Sequence, residues 1–363
     1  LVTRNPARAA SVLLVDYSCA LKLSTPLAVL AAMKEGVGRG VLVKGGRFLE
    51  SLAAADAVVF DKTGTLTESR PRVAEVIPGE GYERDDILRT AACLEEHFPH
   101  PVARAVVRKA EQEGLHHQEE HTEVEYVVAH GIASRLHGKR VLFGSRHYIH
   151  HDEGVPVDAM REDIERLARE GRSILYLAVD GKLAGLIAIE DPLRPEAAPV
   201  IRKLLGRGIR VVMLTGDDER TAAAVAERLG ISEYRSQVLP TDKAEVIRSL
   251  QAEGHTVAML GDGINDSPAL SAADVGVTLS DGADLAREVA DVVLTECRLD
   301  GLVTAVDLSK AAMRRIRTDF GLIMTLNTVF LASGLAGFLQ PGPSALLHNL
   351  TTVGVSLNAM RPM

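Results

Sequence analysis

Three short apolar runs, each cut off by a polar cluster containing glycine, constrain this fold more than anything else in the chain. Residues 57–60 (AVVF) run into Asp61-Lys62-Thr63-Gly64-Thr65-Leu66-Thr67. Residues 209–214 (IRVVML) run into Thr215-Gly216-Asp217, and residues 256–260 (TVAML) into Gly261-Asp262-Gly263-Ile264-Asn265-Asp266. Runs this short, apolar on both faces, are those of strands buried on both sides in a parallel sheet. The stretches 195–207, 219–229 and 243–251 carry helical patterning. This alternation predicts an α/β fold with a doubly wound parallel sheet. Ligands of such sheets bind beyond the carboxyl ends of the strands, so the three clusters are expected along one edge.

A lone Asp after a strand is usually a turn or a helix cap. Here each cluster adds a group that phosphoryl transfer needs. The Asp61 carboxylate is placed to attack phosphorus and form an aspartyl-phosphate. Thr63, Gly64 and Thr65 offer close backbone approach with hydroxyl and N–H donors. Thr215 and Gly216, beside Asp217, supply more donors for phosphoryl oxygens. Lys243, which opens a helix after Leu239-Pro240-Thr241-Asp242, brings a compact cation to developing charge. The carboxylates of the third cluster suit Mg2+, which takes few carboxylates and keeps phosphate and water oxygens.

Between these strands lies an insertion. Residues 85–115 look helical and 120–189 hold short alternating runs, with Asp180-Gly181 predicting a hairpin. Ten of the 12 histidines fall between His97 and His151, read here as a solvated His-rich surface. At both ends the chain turns apolar. Residues 10–33 match the ~20 residues of a membrane helix. They are interrupted by Asp16, Lys22 and Pro26, groups that in lipid usually face a pathway. Residues 320–339 carry no charge, 340–343 (QPGP) read as a turn, and 344–360 form another apolar stretch with His348, Asn349 and Asn358. Arg314, Arg315 and Arg317 predict a cytoplasmic flank. The balance of 41 basic to 49 acidic residues, net −8, argues against a nucleic-acid partner. Cys19, Cys93 and Cys297 are too far apart for a disulfide framework or zinc-ligand spacing.

DKTGTLT at 61–67, TGD at 215–217 and GDGINDSPAL at 261–270 together resemble the P-type ATPases, within the haloacid-dehalogenase-like superfamily. The resemblance covers nearly the whole chain. It implies that ATP phosphorylates Asp61 with Lys62 and Thr63 in support. Thr215, Gly216 and Asp217 then line the phosphate site and Lys243 contacts phosphate. Asp61, Thr63 and Asp262 are the implied Mg2+ ligands, with Asn265 and Asp266 completing the site. The insertion becomes an α+β nucleotide-binding domain, with ATP near Glu95, His100, Gly131 and Ser145. His100-Pro101 is similar to the His-Pro pair of the heavy-metal branch. Phe98-Pro99 stands where that branch has Ser-Glu, Ala129-His130-Gly131 keeps one glycine of a Gly-x-Gly turn, and Gly144-Ser145 replaces Gly-Asn.

The ion-pathway helix of that branch carries Cys-Pro-Cys and then Ala-Leu-Gly-Leu-Ala-Thr-Pro. This chain reads Tyr17-Ser18-Cys19 and then Ala20-Leu21-Lys22-Leu23-Ser24-Thr25-Pro26. One thiolate with Asp16 and hydroxyls favours a divalent cargo over Cu(I), which suits paired thiolates. The expected ligands of this transition-metal cation are Cys19, Asp16, His348 and Asn349, with Asn358 as a further group that could complete the site and Lys22 as a countercharge or a partner of Asp16. The family's Thr-Gly-Glu actuator loop does not occur in the sequence. The implied partner is an N-terminal part of the same pump, with the actuator domain and further transmembrane helices, needed for turnover. The expected division is a transmembrane helix at 1–35, a phosphorylation domain from 36–70 and 191–315, a nucleotide-binding domain at 71–190, and two transmembrane helices at 316–363. The implied whole is a multi-pass protein of the cell (plasma) membrane, embedded in the lipid bilayer, with its ATP-binding domains in the cytoplasm. The alternative is a soluble haloacid-dehalogenase-type phosphatase or phosphotransferase. The apolar flanks argue against it, as does Thr63 where such phosphatases carry a second Asp.

Overall fold

The computed structural model of the chain describes residues 6–363 apart from 69, 97–100, 116–120, 128–130 and 263. Helices α1 (Pro6–Leu13) and α2 (Tyr17–Gly38) come first, followed by β1 (Val41–Val43), α3 (Gly46–Ala54) and β2 (Ala57–Asp61). The insertion holds β3 (Arg72–Pro78), α4 (Arg84–Glu95), α5 (Pro101–Gln112), β4 (His121–Val127), β5 (Gly131–Leu136), β6 (Lys139–Gly144), α6 (Arg161–Arg169), β7 (Ser173–Val179) and β8 (Lys182–Glu190). The chain returns through α7 (Ala197–Leu205), β9 (Arg210–Leu214), α8 (Glu219–Leu229), β10 (Glu233–Arg235), α9 (Lys243–Ala252) and β11 (Val257–Leu260). It continues through α10 (Ser267–Ala272), β12 (Val275–Leu279), α11 (Asp284–Val289) and β13 (Val292–Leu294), then α12 (Asp300–Ala336) and α13 (Pro341–Ala359).

Seven strands pair in the order β1-β13-β12-β11-β2-β9-β10, parallel except for β1. All five residues of β2 are buried, because helices cover both faces of the sheet. Val58 and Phe60 face the core formed with α3, α7, α8 and the start of α12; Ala57 and Val59 face that formed with α9, α10 and α11. Phe60 pairs with Met213 on one side and Leu260 on the other, so Asp61, Thr215 and Asp262 leave the sheet at one edge. The insertion is a six-stranded antiparallel sheet, β3-β8-β7-β6-β5-β4, as the alternating runs predict. Asp180 and Gly181 both take left-handed backbone (φ 47° and 76°) in the β7–β8 hairpin, the geometry an Asp-Gly pair favours.

Helix α12 has 37 residues, about 55 Å at 1.5 Å per residue. Leu302, Val306 and Ala312 belong to the parallel-sheet core. The later turns leave that core and pack against α2 and α13, so the boundary expected at 315/316 falls inside one continuous helix. The bundle of α1, α2, α12 and α13 is inverted relative to a water-soluble core. Ser24, Asp319, Asn327, Ser344 and His348 are buried, while Leu30, Phe320, Val329, Leu346 and Leu350 point outward.

Three details differ from the sequence expectations. The stretch 10–33 is not one helix. The chain breaks between α1 and α2, where the Asp16 carboxylate caps α2 by accepting the Ser18 amide at 2.8 Å. Pro341 opens α13 rather than making a turn, since its missing N–H is not needed at a first helical position. Among the described residues, two segments are long and apolar enough to cross a membrane, Pro6–Gly38 and Asp300–Ala336. The third expected span, α13, is a 19-residue helix diluted by His348, Asn349, Thr351, Thr352 and Asn358.

Phe60 is fully buried at the centre of the sheet. Phe60→Ala is expected to cost about 3–5 kcal/mol of stability, through lost contacts and a residual cavity. A lowered thermal midpoint by circular dichroism checks this, and an unchanged midpoint contradicts the packing.

Candidate functional site

β2 ends at Asp61 in extended backbone, and the chain then turns through Gly64 at φ 80°. Glycine is needed there twice over. The backbone is left-handed, and an added Cβ would lie 2.0 Å from Asp262 Oδ2. Thr67 closes the turn: its Oγ1 accepts the Gly64 amide at 2.8 Å, and its own amide donates to the Lys62 carbonyl at 3.2 Å. Arg194, nearly buried, braces the turn from behind. It donates to the carbonyls of Gly64 (3.2 Å), Thr67 (3.0 Å) and Cys297 (2.9 Å).

In front of the turn, Lys243 Nζ donates to Asp61 Oδ1 at 2.7 Å and to Asp266 Oδ1 at 2.6 Å. All three side chains are buried. Asp262 packs on Gly64 beside them. Burial and then the charge of Asp266 push the Asp61 carboxyl up to about 7, with Lys243 pulling the other way. Burial alone would lower the pKa of Lys243, but Asp61 and Asp266 outweigh it and the net direction is up. Three carboxylates with one ammonium leave an excess of hard oxygen donors. That is the chemistry Mg2+ takes, so the donor set fits the ion implied by the sequence. Thr63 and Asn265 are exposed at the rim of this cluster.

Lys62 turns to a different partner. Its Nζ lies 2.5 Å from Asp217 Oδ2, with side chains 5% and 12% exposed. Asp217 also accepts from Thr215 Oγ1 and from Ser173 Oγ, both at 2.6 Å. Burial opposes both charges, yet the pair holds Lys62 above and Asp217 below their ordinary pKa values. Thr215 is buried and Gly216 exposed at the strand end. Ser173 opens β7, so it ties the insertion to this edge of the parallel sheet.

The remaining expected residues lie on other elements. Glu95 is buried at the end of α4. Gly131 pairs with Gly144 across β5 and β6, and a Cβ on it would meet the Phe143 carbonyl at 2.5 Å. Ser145 follows β6 directly, and its hydroxyl accepts the Tyr148 amide at 3.3 Å. His100 lies outside the described residues.

In the helix bundle, the Asp16 carboxylate accepts from Cys19 Sγ at 3.0 Å and from Ser18 Oγ at 2.7 Å. Asn327 on α12 donates to the Asp16 carbonyl at 3.3 Å, and His348 Nδ1 lies 3.4 Å from Asn327 Oδ1. Asp16, Cys19 and His348 are thus linked through a residue the sequence reading left out. Asn349 is exposed, because adjacent helical positions point about 100° apart, and Asp16 and Cys19 are exposed as well. Lys22 is exposed too, and the Asp16 carboxylate takes its side-chain donors from Ser18 and Cys19.

Ser173, Arg194 and Asn327 were not among the expected site residues, whereas Gly64 was expected as a point of close backbone approach. Gly64 had a signal, as a glycine inside the DKTGTLT string. Ser173 and Arg194 had none, lying 44 residues from Asp217 and 130 residues from Gly64 respectively. Lys62→Met or Asp217→Asn alone leaves a buried charge uncompensated and is expected to cost about 3–5 kcal/mol. The double variant is expected to cost less than the sum. Denaturation midpoints of the four proteins check this, and strict additivity shows the pair is not coupled.

Residues 55–274 match the family model of the haloacid dehalogenase-like hydrolases. The chain is 43% identical over 364 residues to the zinc-exporting P-type ATPase of Mycobacterium marinum, covering 99% of this chain and 50% of that protein. It is 42% identical to the manganese-exporting P-type ATPase of Mycobacterium bovis, covering 99% and 51%. It is also similar to the crystal structure of a zinc-transporting PIB-type ATPase in its E2.Pi state, with a TM-score of 0.69 and 36% identity over 94% of this chain and 55% of that one. The chain spans about half the length of the curated relatives it matches. With this motif set gathered at one sheet edge, the chain belongs to the haloacid dehalogenase-like hydrolases and, within them, to the heavy-metal branch of the P-type ATPases.

Proposed function

We propose that this chain is the catalytic and C-terminal membrane portion of an ATP-driven pump for a divalent transition-metal cation, working through an aspartyl-phosphate at Asp61. The supporting observation is the Asp61 carboxylate at the tip of the central strand, 2.7 Å from Lys243 and flanked by Asp262 and Asp266. ATP binds on the insertion, residues 71–190, near Glu95, His100, Gly131 and Ser145. An Asp61 oxygen attacks the γ-phosphorus in line. The bond from that phosphorus to the β–γ bridging oxygen breaks, and ADP leaves with the electron pair. Lys243, the Thr215 hydroxyl and the Gly216 amide meet the charge on the transferred oxygens. Asp61 and Asp262, with Thr63 beside them, would hold Mg2+, which supplies positive charge against the developing negative charge. Asp266 and Asn265 support that cluster, while Lys62 and Asp217 set the position of the turn.

Residues 36–70 and 191–315 form the phosphorylation unit, and 1–35 and 316–363 carry the membrane helices. Outward apolar and inward polar side chains suit a bundle solvated by lipid. By the positive-inside rule, Arg314, Arg315 and Arg317 support catalytic units on the cytoplasmic side, in a pump taken here to sit in the plasma membrane. The cargo site is built from Cys19, Asp16 and His348, joined by Asn327. One thiolate, one imidazole and oxygen donors suit a divalent ion. Relatives named for zinc and manganese export, 43% and 42% identical, support that choice over a relative named for copper export at 37%. The unbroken α12 carries movement of the phosphorylation unit to Asn327. Turnover needs the actuator portion of the same pump.

In the whole pump, Asp61→Asn is expected to abolish the hydroxylamine-sensitive phosphoenzyme formed from radiolabelled ATP. Persistent labelling refutes the assignment. Cys19→Ala is expected to shift the metal dependence of turnover, and an unchanged dependence removes Cys19 from the cargo site.

A further inference from the structure

Nearer the catalytic units, the bundle holds a second polar pair that the cargo site does not use. α2 leads into the parallel sheet and α12 leads out of it, so the two run antiparallel. Along α12 the positions 327, 323 and 319 follow at one-turn intervals on one buried face. Ile323 packs with Ala20 of α2 and Val355 of α13 in an apolar layer. One turn closer to the phosphorylation unit comes Asp319, only 3% exposed. Its Oδ1 accepts from Asn358 Nδ2 at 2.7 Å. Its Oδ2 is buried with no hydrogen-bond partner among the described residues. Ser24 lies on the buried stripe of α2, one turn from Ala20 in the same direction.

A carboxylate oxygen without a donor, inside a bundle that faces lipid, is costly unless a cation joins it. Two of the basic side chains at this end have other partners. Arg315 donates to the carbonyls of Arg361 and Pro362, and Arg39 pairs with Glu35. The geometry points to Asp319 and Asn358 as a transient oxygen-donor site for the transported divalent cation, on the catalytic-unit side of the Ile323 layer. It rests on the reading of Asp16, Cys19 and His348 as the cargo site. Carboxylate and amide oxygens hold Zn2+ more loosely than thiolate and imidazole do, and they suit Mn2+ directly. A loose site before a tighter one, with an apolar layer between, lets the ion be captured and passed on.

Asp319→Asn keeps the size of the side chain and an acceptor for Asn358 but removes the charge. The test is metal-dependent phosphorylation by ATP in the whole pump, purified in detergent and titrated with Zn2+ or Mn2+ alone. The metal concentration for half-maximal labelling is expected to rise about tenfold or more, with maximal labelling near that of the unaltered pump. An unchanged metal dependence overturns the site. So does a variant in which only the pH profile moves, since Asp319 is then a proton site. Should the Asn variant not label at all, Asp319→Glu decides. With charge retained it is expected to label at metal concentrations closer to those of the unaltered pump, and a Glu variant no better than Asn also overturns the site. Cys19→Ser separates this inference from the one it rests on. If Cys19→Ser leaves the metal dependence unchanged while Asp319→Asn shifts it, the cargo site as drawn fails and the Asp319 site stands.

Discussion

At the carboxyl edge of the seven-stranded sheet, the Lys243 ammonium sits within 2.7 Å of both Asp61 and Asp266. Without it, two buried carboxylates and the neighbouring Asp262 would repel one another where little water reaches. Much of the local architecture serves this contact. α9 begins at Lys243, so the cation is presented from the start of a helix. The left-handed turn at Gly64 leaves room for Asp262, and Arg194 holds that turn by three carbonyls. The result is a compact group of charges with one cation too few, which is a place for a divalent ion and a phosphoryl group.

A second buried pair, Lys62 with Asp217, stands behind the first and does different work. Its charges are spent on each other and on the hydroxyls of Thr215 and Ser173. Lys62 is next to Asp61 in sequence, yet its ammonium pairs with Asp217. Through Ser173 the same pair reaches the antiparallel sheet and ties the insertion to the carboxyl edge of the parallel sheet.

The helix bundle follows the opposite rule of burial. Asp319, Asn327 and His348 are buried between its helices, while Leu30, Phe320, Leu346 and Leu350 face outward. Asn327 connects one level to Asp16 and His348, while Asp319 and Asn358 form another beyond Ile323. α12 runs from the sheet core through both levels as one unbroken helix.

Much of the catalytic edge was legible from local pattern. Apolar runs ending in DKTGTLT, TGD and GDGIND, with Lys243 opening a helix, predict a parallel sheet and the edge where Asp61, Thr215, Lys243 and Asp262 meet. That information is local, since strand burial and turn chemistry are written in neighbouring residues. The partners across the fold were not legible. Ser173 reaching Asp217, Arg194 reaching Gly64, Asn327 joining Asp16 to His348, and Asn349 turned outward depend on how distant helices and sheets are rotated against one another. The same holds for Asp16, an interruption when read along the chain and a helix cap in space. By itself the sequence determined the order of elements and the chemical groups at the strand ends. Only the tertiary structure decided which charge meets which, because a hydrogen bond is set by distance in space and not by separation along the chain.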